Sequence, residues 1–403
     1  MKKKINNTYI LFYLIVLLLF SYFFLYFKHQ VGNDSTISEW IINYEGGFTR
    51  RGLTGQIVIL LSRLFESDLR WTIFLSQSFF CTTYFFLLWH LFKDLKTNRI
   101  INLSIFTPIF ILYPIAEIEV LARKEIIVFT LFLIYILFPS HHWLKNILLI
   151  LFSFFSILIW EPTLFFFPLI FLYLIIENKI DKVDLKLVKF ILLMSPGVLL
   201  ALYIITNPLS DNQWEVMVSV LNDEFNEKCY MSCELLNTKS TLIQQFQQGN
   251  SDYYSFEVIL RYSLIIIIGF YPLALLLKNS VIRSKNLIIL RNFKNLLIPS
   301  CIAIFPVILL FVMGYDWGRW VNISYVISAL IYFSLMNNDK ITLNINSLKK
   351  NFLYKLKGKV FVIFFIIFCF GWNPKTVMVA DIASFPGYRI PVKVINKILF
   401  DKY

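Results

Sequence analysis

Asn146-Ile147-Leu148-Leu149-Ile150-Leu151-Phe152-Ser153-Phe154-Phe155-Ser156-Ile157-Leu158-Ile159-Trp160-Glu161-Pro162-Thr163-Leu164 opens an apolar run that continues to Ile176 and is interrupted only at Trp160-Glu161-Pro162. Whether this run is one helix or two decides the fold. As one helix it would carry Lys179, Lys182, Lys186 and Lys189 to the outer side of a membrane. As two short spans with Glu161 at the outer tip, it returns all four lysines to the cytoplasm, where basic residues concentrate. Pro162 lacks an N–H and clashes with the preceding turn, so a break belongs there. The run therefore reads as a hairpin of two spans.

Working outward from that hairpin, the rest of the chain threads a bilayer too. Of its 403 residues 58% are hydrophobic and only 16% are charged, well below the quarter usual in a soluble domain. Mean hydropathy is +0.68. Apolar runs near Tyr9–Phe27, Thr72–Phe92, Ile100–Ile115, Ile126–Phe138, Phe190–Ile205, Val258–Leu277, Leu297–Met313, Val321–Leu335 and Val360–Gly371 join the hairpin to give about 11 spans. The expectation is an all-α, polytopic transmembrane protein, a single membrane domain over residues 1–403. Its outer segments would be 28–71 and 206–256, with an outer tail 372–403. Ile57-Val58-Ile59-Leu60-Leu61, with Arg63 nearby, is short and flanked by charge, so it reads as an amphipathic helix in the interface.

Lys2, Lys3 and Lys4 place the N-terminus in the cytoplasm, and the odd span count places the C-terminus outside, in the periplasm of a bacterial inner membrane. No small-residue cleavage site follows the first run, which reads as a retained span and not a signal peptide. On this threading more than half of the 38 Lys and Arg, but only a fifth of the 25 Asp and Glu, lie inside. The net charge of +13 is then a topology signal with attraction for anionic membrane lipids. It is not a nucleic-acid footprint.

Every unusual polar cluster falls on the outer side. Glu45-Gly46-Gly47-Phe48-Thr49-Arg50-Arg51-Gly52-Leu53 follows the first span, and Glu117 and Glu119 precede Arg123-Lys124-Glu125. Glu161 caps the hairpin, and Asp316-Trp317-Gly318-Arg319-Trp320 follows the ninth span. A charge at such depth costs up to about 2.5–3.5 kcal/mol on insertion scales, so these groups pair with one another, meet headgroups or line a polar cavity. Four clusters on one face favour the shared cavity. Arginine forks suit a diphosphate, which points to Arg50, Arg51, Arg123 and Arg319 as its ligands. Glu45 and Asp316 are the candidate catalytic carboxylates, one of them taking a proton from an acceptor hydroxyl. Glu117, Glu119, Glu161 and Trp317 would support them.

Other sites carry less. Cys229 and Cys233 can close a short disulfide if the outer side is oxidising. Cys81, Cys301 and Cys369 lie in spans and read as small apolar fillers. His141 and His142 sit beside Lys145 without acid or cysteine partners, so they read as interface residues and no metal is expected. There is no Walker loop and no dinucleotide fingerprint, and no cofactor is expected.

These motifs together, with Trp160-Glu161-Pro162, resemble multi-spanning proteins of bacterial surface-polysaccharide loci. Those are Wzy-type polymerases of O-antigen (lipopolysaccharide) or capsule repeat units, or lipid-linked glycosyltransferases of the GT-C architecture. The resemblance implies an undecaprenyl-diphosphate-linked glycan as donor, a second lipid-linked unit as acceptor, an active face on the periplasmic side and a chain-length regulator as partner. The acidic first outer loop is also similar to GT-C enzymes, but Glu45 stands without the acidic neighbour common there. A lipid-linked glycan flippase would instead spread polar residues through its spans and repeat its halves. An O-antigen ligase or an acyltransferase would share the outer-face site, and sequence leaves both open.

Overall fold

In the computed structural model the described residues are 7–30, 32, 34–139, 142–180, 185–237, 244, 255–283, 290 and 293–377. They are overwhelmingly helical. Five helices are long and apolar enough to cross a membrane: Thr8–Gln30, Leu69–Phe92, Leu185–Thr206, Phe256–Lys278 and Trp317–Asn337. Shorter apolar helices accompany them: Gly52–Leu64, Glu125–Leu137, Leu144–Ile159, Leu297–Met313 and Gly358–Phe370. A helix of 13 residues, such as Glu125–Leu137, rises only about 20 Å against about 30 Å of hydrocarbon. Length alone does not make it a crossing. The outward faces fit lipid: Thr8–Gln30 leaves Phe12, Leu19, Phe20, Phe23 and Phe27 exposed, more apolar surface than a soluble helix tolerates.

The described chain forms two compact units, each assembled from three stretches of sequence. The first comprises Met1–Asp94, Ile118–Phe167 and Lys182–Ser240; the second comprises Leu95–Glu117, Pro168–Asp181 and Thr241–Tyr403. In the first, Thr8–Gln30 packs on Leu69–Phe92, which packs on Glu125–Leu137, then Leu144–Ile159, then Leu185–Thr206. Asn7 Nδ2 donates to the Phe92 carbonyl at 2.8 Å, tying the start of the first helix to the end of the second and so making them antiparallel. Gly197 permits the last crossing: a Cβ there would stand 2.4 Å from the Ser153 carbonyl oxygen. Small residues at helix crossings serve this close approach in membranes.

The second unit is built around Trp317–Asn337, which is buried along nearly its whole length. A helix that is apolar all round belongs in a core. Its few polar groups fasten neighbours. Asn322 Nδ2 donates to the Ile109 and Phe110 carbonyls, both at 2.9 Å. Tyr325 donates to the Ser104 carbonyl at 2.8 Å. A two-stranded antiparallel ribbon, Ser280–Ile282 against Ile341–Leu343, closes one end.

Two local expectations meet a different outcome, and a third is met. The run expected as one span over Ile100–Ile115 ends as a helix at Phe106 and resumes only as the short turn Tyr113–Ala116. Pro108 drives Thr107 out of the helical region, to φ −54 and ψ 138, and cannot donate to a helix ladder. The segment expected as an outer loop over 206–256 contains the helix Asp211–Phe225. Ser210 and Gln213 form a capping box at its start and left-handed Asn226 ends it. The break at Trp160-Glu161-Pro162 is present: Leu144–Ile159 stops, Trp160 is extended, and a 3-10 turn Glu161–Phe166 leads into Phe167–Glu177. The two halves of that expected hairpin belong to different units. His141, Lys2 to Lys4 and residues 378–403 of the expected outer tail lie outside the described residues.

Candidate active site

The chain between Asn43 and Gly52 forms a compact turn because its residues satisfy their own backbone. Asn43 Oδ1 accepts from the Glu45 N–H at 3.0 Å, and Gln56 Oε1 accepts from the Tyr44 N–H at 2.8 Å. Gly46 is required by proximity, since a Cβ there would lie 1.8 Å from the carbonyl oxygen of Gln213 in the helix Asp211–Phe225. Arg51 then takes a left-handed conformation, φ 63, and the helix Gly52–Leu64 starts directly after it. A non-glycine residue held there costs of order 1–3 kcal/mol and tends to mark a functional or tightly constrained site.

That turn presents Arg51 to Glu161. Arg51 Nε lies 2.8 Å from Oε2 and Nη2 lies 2.8 Å from Oε1, a fork across both carboxylate oxygens. Arg50 Nη1 approaches the same carboxylate at 4.0 Å. Burial alone would raise the Glu161 carboxyl, but Arg51 and then Arg50 outweigh it and hold it below the usual carboxylate range. Among the described residues, that 4.0 Å contact is the one ion pair of Arg50 and it makes no hydrogen bond. Its side chain is 45% exposed, although burial of the guanidinium draws its pKa down, with Glu161 opposing the shift.

Lys124 lies behind this turn, fully buried. Its Nζ donates to the Arg51 carbonyl. Burial pushes its pKa down to about 7, with Glu39 opposing the shift and Arg51 adding to it. Arg123 is also buried and engaged, with Nη1 3.6 Å from Glu39 Oε1 and Nε donating to the Glu119 carbonyl at 2.8 Å.

Glu45 goes elsewhere. It accepts from Arg63 Nη1 at 2.9 Å and from Gln56 Nε2 at 2.8 Å. The bond from Arg63, with Gln56 helping, holds its carboxyl below the usual range. Arg63 also forks onto Glu224 of the helix Asp211–Phe225, at 2.6 and 2.7 Å. Arg70 does the same to Glu227, which precedes the disulfide joining Cys229 and Cys233, Cα atoms 5.3 Å apart.

Asp316, Trp317, Arg319 and Glu117 are in the second unit. Asp316 Oδ2 accepts from Arg319 Nη1 at 3.1 Å, and the Arg319 guanidinium lies 5.4 Å from the centre of the Trp320 ring. Trp317 Nε1 donates to the Phe311 carbonyl at 2.8 Å. A strand of chain lies over the start of this helix: the Gly318 N–H donates to the Thr376 carbonyl at 3.1 Å. Glu117 Oε1 accepts from Asn373 Nδ2 at 2.8 Å.

Of the predicted diphosphate ligands, the first unit thus brings Arg50 and Arg51 together at Glu161, with Arg123 committed to Glu39. Lys124, Glu39, Gln56 and Glu224 are partners that sequence reasoning did not assign. Among the described residues no group of three or more His, Cys, Asp or Glu is placed to hold a metal ion. His142 contacts the rings of Phe138 and Trp143. No protein-family profile matches the chain, and no curated protein and no solved structure matches it at a significant level.

Proposed function

We propose that the chain is a glycosyltransferase of the Wzy-polymerase type in a bacterial inner membrane. On this reading the shorter apolar helices complete about 11 crossings in a GT-C-like arrangement, with the N-terminus cytoplasmic and the C-terminus periplasmic. It joins undecaprenyl-diphosphate-linked repeat units of a surface polysaccharide at the periplasmic face, with a chain-length regulator as partner.

The observation that supports this reading is the part-exposed side chain of Arg50 beside the Arg51–Glu161 fork. A clamped neighbour and a free fork together suit a dianionic diphosphate, because arginine gives two parallel charge-assisted hydrogen bonds where lysine gives a point charge. Arg50 is the ligand of first choice. Arg51 and Arg123, both paired, shape the site and add positive potential; Arg319 does so for the Asp316 cluster. The acceptor hydroxyl needs a base, and Glu45 and Asp316 are the carboxylates assigned to it; such a base contributes about 10²–10⁴-fold.

Deletion of the gene followed by gel analysis of surface glycan tests the reading. Loss of the long-chain ladder with one repeat unit still attached is expected. Complete loss of attached glycan would instead mark a ligase or flippase. Arg50→Lys, at normal membrane abundance, should shorten the ladder.

A further inference from the structure

Three facts about the Arg50–Arg51 turn remain unused by that reading: a strained backbone, a buried lysine and a single bond between them. Arg51 sits at φ 63. A side chain in this region needs surrounding structure to hold it. The carbonyl of Arg51 accepts from Lys124 Nζ, and Lys124 is 0% exposed. A lysine seldom sits wholly inside a protein unless its charge is compensated.

The charged groups acting on Lys124 come from several elements. Glu39 follows the short helical turn Ser35–Ser38, Arg51 precedes Gly52–Leu64, Glu161 opens the 3-10 turn, and Glu125 starts Glu125–Leu137. Arg123 is drawn to the same Glu39, and Arg50 to the same Glu161. Lys124 is therefore the group that links the strained carbonyl to the acidic surround.

We propose that Lys124 is the positioning residue of the Arg50–Arg51 anion subsite: by bonding the Arg51 carbonyl it fixes the left-handed turn that aims Arg51 at Glu161 and leaves Arg50 open. This assignment rests on the lipid-diphosphate reading for the ligand, though the bond itself does not. Lys124 touches no substrate on this scheme. It acts through Arg51, and when protonated it also places a buried positive charge behind the subsite.

The protonation state adds a signature that packing alone would not give. Burial brings Lys124 to about 7. It is charged below that pH and neutral above it, while Arg50 and Arg51 stay charged throughout. Anion affinity therefore falls as pH rises through neutrality.

The test uses full-length protein in detergent with farnesyl diphosphate as the probe and farnesol as the control. Wild type should bind the probe about tenfold more tightly near about pH 6 than near about pH 8.5, after correction for ionisation of the probe itself. Lys124→Met should bind weakly and lose that pH dependence, while Lys124→Arg should keep the low-pH affinity across the range. Wild-type affinity and pH slope in Lys124→Met would overturn the assignment. If neither variant accumulates, a flat corrected profile in wild type overturns it equally. Should wild type bind no diphosphate at all, the lipid-diphosphate reading fails, and hydrogen exchange over residues 48–56 decides the positioning role. Faster exchange there in Lys124→Met, with the other helices unchanged, upholds it; unchanged exchange refutes it.

Discussion

Two acid–arginine clusters look alike as text and differ as structures. Asp316 and Arg319 are three positions apart, at the start of one helix, and meet by local geometry at 3.1 Å. Arg51 and Glu161 are 110 positions apart and meet only because a left-handed turn and a broken helix deliver them to one place. The local pair fixes a helix start and gives the Arg319 side chain, only 5% exposed, a carboxylate partner. The distant pair holds two chain segments together, so its loss spreads through the unit. Spacing in sequence therefore says which cluster is a helix-end device and which is a tertiary joint.

The comparison breaks most visibly at Glu161. Glu161→Gln leaves Arg51 and Arg50 without their carboxylate. Breaking a paired buried charge costs about 3 kcal/mol or more, so membrane abundance and the melting temperature should both drop. An unchanged melting temperature would reduce the joint to a surface pair.

Next in size is the dependence on pH. Lys124 is shifted from 10.5 to about 7, so between those values the unfolded chain holds a proton that the folded chain does not. Stability therefore rises with pH across that window, and the full penalty of the buried charge is present below about 7. Melting of the solubilised protein should shift upward from about pH 7 to about pH 9, and Lys124→Met should abolish the rise. Glu161 runs the opposite way: its depressed carboxyl contributes stability that is lost only as pH falls into the acid range.

A smaller effect belongs to the Cys229–Cys233 bond. It closes so short a loop that its removal should cost about 2 kcal/mol of local order. Alkylation without reductant, followed by mass spectrometry, should find both thiols protected in wild type. Cys229→Ser should speed hydrogen exchange across Asp211–Phe225 and little else.

The smallest stability effect sharpens the other side of the comparison. Asp316→Asn keeps a carbonyl acceptor for the buried Arg319 and removes only the charge, so membrane abundance should fall less than for Glu161→Gln. Its glycan phenotype then reads chemistry cleanly. Single-repeat glycan from an abundant Asp316→Asn protein supports a base there, and normal long chains would exclude one. Glu45→Gln is less clean, because Glu45 also holds Arg63 and through it the helix Asp211–Phe225.

Much of the candidate site was legible as residue types and little of it as partnerships. Arg50, Arg51, Glu161, Asp316 and Arg319 stand out because charge is scarce among apolar runs. Glu45 reads as the acid of the Arg50–Arg51 cluster, yet its partner is Arg63, 18 positions on. Lys124 reads as one charge in an Arg-Lys-Glu triplet, and nothing in the triplet shows that all three are buried or that Lys124 reaches the Arg51 carbonyl. The helix Asp211–Phe225 did leave a signal in Ser210-x-x-Gln213, but its polar composition hid it among loop residues.

By itself the sequence determined that this is a helical membrane protein, since runs of apolar residues must satisfy their backbone internally once they leave water. It also determined that a helix stops at Glu161-Pro162, because a missing N–H is a local fact; the same fact at Pro108 breaks a run that reads as one span over Ile100–Ile115. Tertiary structure alone decided which arginine is clamped, which is open, and which lysine is buried. Those outcomes depend on the approach of segments far apart in the chain, and the energy of a charge is set by what surrounds it.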